Sequence, residues 1–174
     1  LVYWVLRASP AVMAMGEPAN SRRYFVQGSQ SAAMWGFGAF YVLLGGLRHE
    51  TGGDWDSYLE IYNYLAGGPM TDAGFATDLL YGILNWVSVK LGGGIYLVNG
   101  ICCWLLGYGT IAVAKRFREP WMAIVIAVPY LLIVIGLGYV RQGAAIGLIL
   151  IGISCLDRGR PLRMIVCLVL AAGF

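Results

Sequence analysis

From Trp121 to Leu156 the chain carries a single charge, Arg141. A water-soluble helix needs a charged outer face, whereas a membrane helix needs roughly 20 apolar residues to cross, with about 17 as a lower limit. Comparable runs recur at about 1–15, 30–47, 95–114, 120–138, 141–156 and 162–174. Pro129, Gly136, Gly138, Gly147 and Gly152 fall inside them, which a bundle tolerates because neighbouring helices satisfy the backbone. With 59% hydrophobic residues, 12% charged and a mean hydropathy of +0.71, the chain reads as an all-α, polytopic transmembrane helix bundle forming one membrane domain over 1–174.

Leu1 and Phe174 both stand in apolar runs, so the chain reads as an N-terminal fragment of a longer protein. The opening stretch contains Arg7 and Pro10 and lacks a small-residue cleavage site, which argues against a signal peptide. Cys102, Cys103, Cys155 and Cys167 all lie in apolar runs without metal-site spacing and read as packing residues. There is no phosphate-cradling glycine loop, His-Glu-x-x-His or nucleophile elbow. Basic clusters of three residues at most exclude a nucleic-acid patch.

Residues 74–91 have a different pattern. Asp78, Tyr81, Asn85 and Ser88 step by 3, 4 and 3 along one helical face, opposite Leu79, Leu80, Ile83, Leu84, Trp86, Val87 and Leu91. This is an amphipathic helix in the interface or beside the bundle, or else a short spanning helix with a polar face. Charge placement favours the first. If 74–91 does not cross, Arg22, Arg23, Lys115, Arg116, Arg118, Arg158, Arg160 and Arg163 share one side, eight of the 12 Lys and Arg residues. That side is then cytoplasmic. Arg48, Lys90, Arg141 and the acids from Glu50 to Asp78 face the periplasm or exterior.

The densest polar chemistry is in this outer loop, residues 48–73. Asp54 and Asp56 follow Gly52-Gly53; carboxylates at i and i+2 in irregular backbone can share a divalent cation, or one can act as a general base. In most loops such a pair is simply solvated. Arg48 at the end of a span reads as a snorkelling anchor or as a clamp on a phosphate. Arg141-Gln142, a charge held between two apolar runs, is a functional candidate by default. Two arginines and two carboxylates on one side fit an anionic lipid-linked substrate. His49, the sole histidine, is more often a surface residue than a catalyst. Trp55, Tyr58, Tyr62 and Tyr64 suit either an interfacial belt or sugar stacking.

These residues resemble a known family. Gly46-Leu47-Arg48 with Gly53-Asp54 and Tyr58 is similar to the "GLR…G-D…Y" signature of the EpsG family of bacterial exopolysaccharide polymerases. Asp78-Leu79-Leu80-Tyr81 with Leu84-Asn85 resembles its "E-P-x-F/Y…LN" helix start, with Asp78 in place of Glu and Leu79 in place of Pro. Tyr139-Val140-Arg141-Gln142, then Ala144-Ala145, resembles its "RQ-x-x-A" segment. The resemblance covers about 30–155, in members about twice this length.

It implies a GT-C-like, multi-pass enzyme of the bacterial inner (cytoplasmic) membrane, related to Wzy-like polymerases. Such an enzyme joins undecaprenyl-diphosphate-linked oligosaccharide repeats on the outer face, in the lipid bilayer, alongside chain-length regulator and export proteins. On that reading Asp54 or Asp56 is the catalytic base, or holds a divalent cation if one is used. Arg48, Arg141 and Gln142 bind the diphosphate, and His49, Tyr58 and Asp78 are further candidates. A GT-C transferase adding single sugars is the nearest alternative; a lipid-linked saccharide transporter or a scaffold subunit is a different class.

Overall fold

The computed structural model describes residues 21–72 and 77–174. The chain divides into two compact units, 1–33 and 34–174; the expected run at 1–15 lies outside the described residues. Among the described residues there are seven helices and no strand. They are α1 (Ser21–Gly46), α2 (Trp55–Ala66), α3 (Leu79–Leu91), α4 (Gly94–Ala114), α5 (Pro120–Gly138), α6 (Val140–Leu156) and α7 (Pro161–Ala171), with a 3₁₀ turn at Met70–Asp72.

Helix boundaries follow local chemistry. α3 stops where Gly92 takes φ +69°, with Gly92 and Gly93 N–H groups closing on Val89 and Ser88 carbonyls at 3.1 and 3.0 Å. α5 and α7 each open on proline, whose missing N–H costs nothing in a first turn. From Val128, beside Pro129, α5 widens into π-helical register to Gly138. Side chains from other helices answer its carbonyls: the Tyr41 hydroxyl donates to Leu132 O at 3.0 Å, and the Cys103 thiol to Gly136 O at 3.7 Å.

Within the second unit, glycines let helix backbones touch. A Cβ on Gly147 would lie 2.5 Å from the Leu105 carbonyl of α4, so α4 and α6 cross in direct backbone contact. Two clusters fill the middle of this packing: Met34, Ile111, Ala114 and Ile124, and Tyr41, Cys103, Leu106 and Leu132. A third joins Trp55, Tyr58, Tyr81, Ile95, Val98, Cys102, Val140 and Ala144, tying α2 and α3 to α4 and α6.

Polarity is inverted relative to a soluble fold. α4 and α5 are long and apolar enough to cross a membrane, and α5 is mostly exposed, through Met122, Val125, Ile126, Tyr130 and Ile133. α3 shows the same inversion. Its polar stripe (Tyr81, Asn85, Ser88) is buried, while Leu79, Val87 and Leu91 face outward. A contiguous apolar exterior of this kind marks contact with lipid or another apolar surface. At 13 residues, α3 extends only about 20 Å, short of a hydrocarbon core of about 30 Å.

Candidate functional site

One end of the second unit gathers the end of α1, all of α2, the starts of α3, α4 and α6, and the end of α5. The chain leaves α1 at Gly46, which packs on Gly100 of α4. Glu50 (φ +47°) and Gly52 (φ +100°) then turn it back. A Cβ on Gly52 would meet Arg48 Nη1 at 3.1 Å and the Leu137 and Gly138 carbonyls at 3.1 and 3.2 Å. The absence of a side chain at Gly52 therefore lets the loop backbone fit closely against both the Arg48 guanidinium and the end of α5.

Arg48 is 7% exposed, and Nε, Nη1 and Nη2 all lack a hydrogen-bond partner. Its guanidinium carbon stands 5.8 Å from the centre of the Trp55 ring. A buried guanidinium with no partner costs several kcal/mol, which an anion would offset.

The outer segment 48–73 is not loop throughout, since it contains α2. Trp55, Tyr58 and Leu65 are buried along one face of that helix, and Tyr62 packs against the same core. Asp54 is the N-cap residue, with no side-chain capping bond, and its carbonyl accepts the Tyr58 N–H at 3.0 Å. Asp56 lies exposed in the first turn. Asp54 thus keeps non-helical backbone just outside α2, while Asp56 belongs to its first turn. Among the described residues, no group of three or more His, Cys, Asp or Glu side chains is arranged to hold a metal.

Arg141, at the start of α6, crosses to the segment before α3. Its Nη1 donates to Asp78 Oδ2 and to Thr77 Oγ1, each at 3.0 Å, and its guanidinium carbon lies 5.6 Å from the Tyr58 ring centre and 5.7 Å from that of Tyr81. The two tyrosines are themselves 5.7 Å apart. Burial pushes the Tyr58 phenol above its ordinary pKa, with Arg141 opposing the shift and the Asp54 charge adding to it. Tyr58 therefore stays protonated at neutral pH.

The remaining candidates sit further out. His49 is exposed, with Nδ1 2.9 Å from the Tyr96 hydroxyl and its ring edge-on to Trp55. Gln142 is exposed beside Arg141. Thr77, Tyr81 and Tyr96 join the arrangement although only Tyr81, in the polar stripe, carries a signal in the sequence. Asn99, fully buried in the upper turns of α4, has neither amide atom paired.

The opposite end is basic. Arg116, after α4, donates from Nη1 to the Asp157 carboxylate and from Nη2 to the Ser154 carbonyl and to the Ser154 hydroxyl at 3.0 Å, locking the α4–α5 connection to the end of α6. Lys115 stands 4.5 Å over the Trp35 ring.

The three motif segments thus meet at one end, through Arg48–Trp55, Tyr58–Arg141 and Asp78–Arg141. The EpsG family model matches residues 36–174, most of the chain and every element of this site. The chain belongs to the EpsG family. As a member it is a membrane protein, polymerase-like and tied to exopolysaccharide synthesis. No curated protein and no solved structure matches it. In this EpsG chain the inward polar stripe and outward leucines of α3 agree with a membrane setting, and the three motif segments converge although Asp78 and Arg141 are 63 residues apart.

Proposed function

We propose that this EpsG protein is a polymerase joining polyprenyl-diphosphate-linked oligosaccharide repeats, with its acidic end on the outer face of the bacterial inner membrane. The observation that carries the reading is Arg48: a guanidinium buried without a partner, stationed on Trp55 one helical turn from the Tyr58 shelf that supports Arg141. Two cations so placed suit a diphosphate leaving group. Lys115, Arg116, Arg118, Arg158, Arg160 and Arg163 flank the other end, against Arg48, Lys90 and Arg141 here, the bias of a cytoplasmic face.

In the reaction, the acceptor hydroxyl oxygen bonds to the donor's anomeric carbon as the bond from that carbon to the diphosphate oxygen breaks. Asp54 takes the hydroxyl proton, and the lipid diphosphate leaves with the bonding electrons. Arg48 and Arg141 stabilise the charge where it develops. Asp56, exposed in the first turn of α2, keeps the loop solvated; Gln142 and His49, also exposed, line the approach. The lipid tails lie along the apolar exterior.

The test is expression of the full-length gene and its Asp54→Asn variant in a polysaccharide-producing host lacking its own copy, at matched membrane levels. Mass spectrometry of extracted lipid-linked saccharides should show complete single repeats accumulating without polymer in the variant. Accumulation of incomplete repeats would instead indicate a single-sugar transferase. Normal polymer from the variant would remove Asp54 from the mechanism.

A further inference from the structure

The two arginines of this site are in different states. Arg48 has no internal acceptor, whereas Arg141 Nη1 already has two oxygens at 3.0 Å, from Thr77 and Asp78. A carboxylate and a hydroxyl on one guanidinium nitrogen present what a phosphate would present. Both arginines stand over rings of α2, Arg48 over Trp55 and Arg141 over Tyr58, three residues apart along that helix.

The Arg141–Asp78 pair is also accessible, with 34% and 50% of the two side chains exposed. Exposed pairs are weak, so a ligand with higher charge can break this one. We infer that Asp78, with Thr77, is a specificity-determining residue that holds Arg141 as an internal stand-in for the second phosphate of the ligand. Binding then exchanges carboxylate for phosphate at Arg141. This rests on the diphosphate reading above and adds selectivity to it. A monophosphate reaches Arg48 alone, because engaging Arg141 as well would break the internal pair and leave Asp78 facing the anion. A diphosphate spans both, and its second phosphate offsets the loss.

The experiment uses full-length protein in nanodiscs of zwitterionic lipid, titrated calorimetrically with inorganic pyrophosphate and, separately, inorganic phosphate. Wild type should bind pyrophosphate at least about tenfold tighter than phosphate, since each further guanidinium contact of this kind is worth that much. Asp78→Asn removes the competing charge and should tighten pyrophosphate about threefold while moving phosphate less, the scale of an exposed ion pair. Thr77→Val should act in the same direction more weakly, and its sign decides the matter if Asp78→Asn does not fold.

Weaker or unchanged pyrophosphate binding in the variants overturns the exchange, as does wild type that fails to bind pyrophosphate. Different results bear on the exchange and on the polymerase activity. Polymer made normally by a protein whose pyrophosphate affinity ignores Asp78 would sink the exchange alone. Exchange observed in a protein that makes no polymer would sink the polymerase alone.

Discussion

Arg48 and Arg116 lie at opposite ends of the same helical unit, and their surroundings differ in kind. Arg116 finds an internal acceptor for both terminal nitrogens, in Asp157 and Ser154, and so ties two connections together. Arg48 is more deeply buried, yet none of its nitrogens is answered. A guanidinium answered from within stabilises the fold. One that is unanswered destabilises it, and is tolerated when a ligand completes it. On the proposed function, the contrast between Arg48 and Arg116 separates a cation kept for a ligand from one kept for the fold.

Substitutions at the two ends should differ in kind and in size. The largest effect is expected at Gly52. An alanine there is strained by its φ of +100° and crowds Arg48 Nη1, so misplacing the cation should cut polymer yield by up to about a hundredfold. Quantifying polymer at matched membrane levels checks it. Arg116→Ala should act on the fold instead: thermal unfolding in detergent should show a loss of about 1–3 kcal/mol, with polymer per folded molecule unchanged.

Arg48→Met should do the reverse for stability. By replacing an unpaired buried cation with an apolar side chain it should stabilise the fold by about 1 kcal/mol or more in the same unfolding assay. The smallest effect is expected from Ser154→Ala, which removes the hydroxyl contact of Arg116 and should cost about 0.5–1.5 kcal/mol. A destabilised Arg48→Met protein, or an indifferent Arg116→Ala protein, would erase the distinction between the two ends.

Much of the helical framework is legible in the apolar runs, because a membrane helix needs length and lack of charge, and both can be counted. α2 was hidden by its charges: Asp56 and Glu60 make 48–73 read as loop, although Trp55, Tyr58, Tyr62 and Leu65 step at helical spacing. The π register of α5 is not written locally, since it depends on Tyr41 and Cys103 arriving from other helices to take its carbonyls. The direction of the α3 stripe was equally open. A polar face turns inward only where the outside is less polar than the protein, a property of the surroundings.

For the site, Arg48 and Arg141 stand out as charges among apolar residues. Their partners do not. The Asp78–Arg141 bond joins segments 63 residues apart, and Thr77 and Tyr96 look like any loop or helix residue until the chain is folded. Asp54 and Asp56 look equivalent in sequence, and the start of α2 makes them different.

On the proposed function, Arg48 serves a ligand and Arg116 serves the fold. The most direct test measures polymer per folded molecule for Arg48→Met and Arg116→Met side by side, in a host lacking its own copy of the enzyme. Arg48→Met is expected to abolish polymer while complete lipid-linked repeats accumulate, and Arg116→Met to make less protein of normal specific activity. Normal polymer from a well-folded Arg48→Met protein would contradict it.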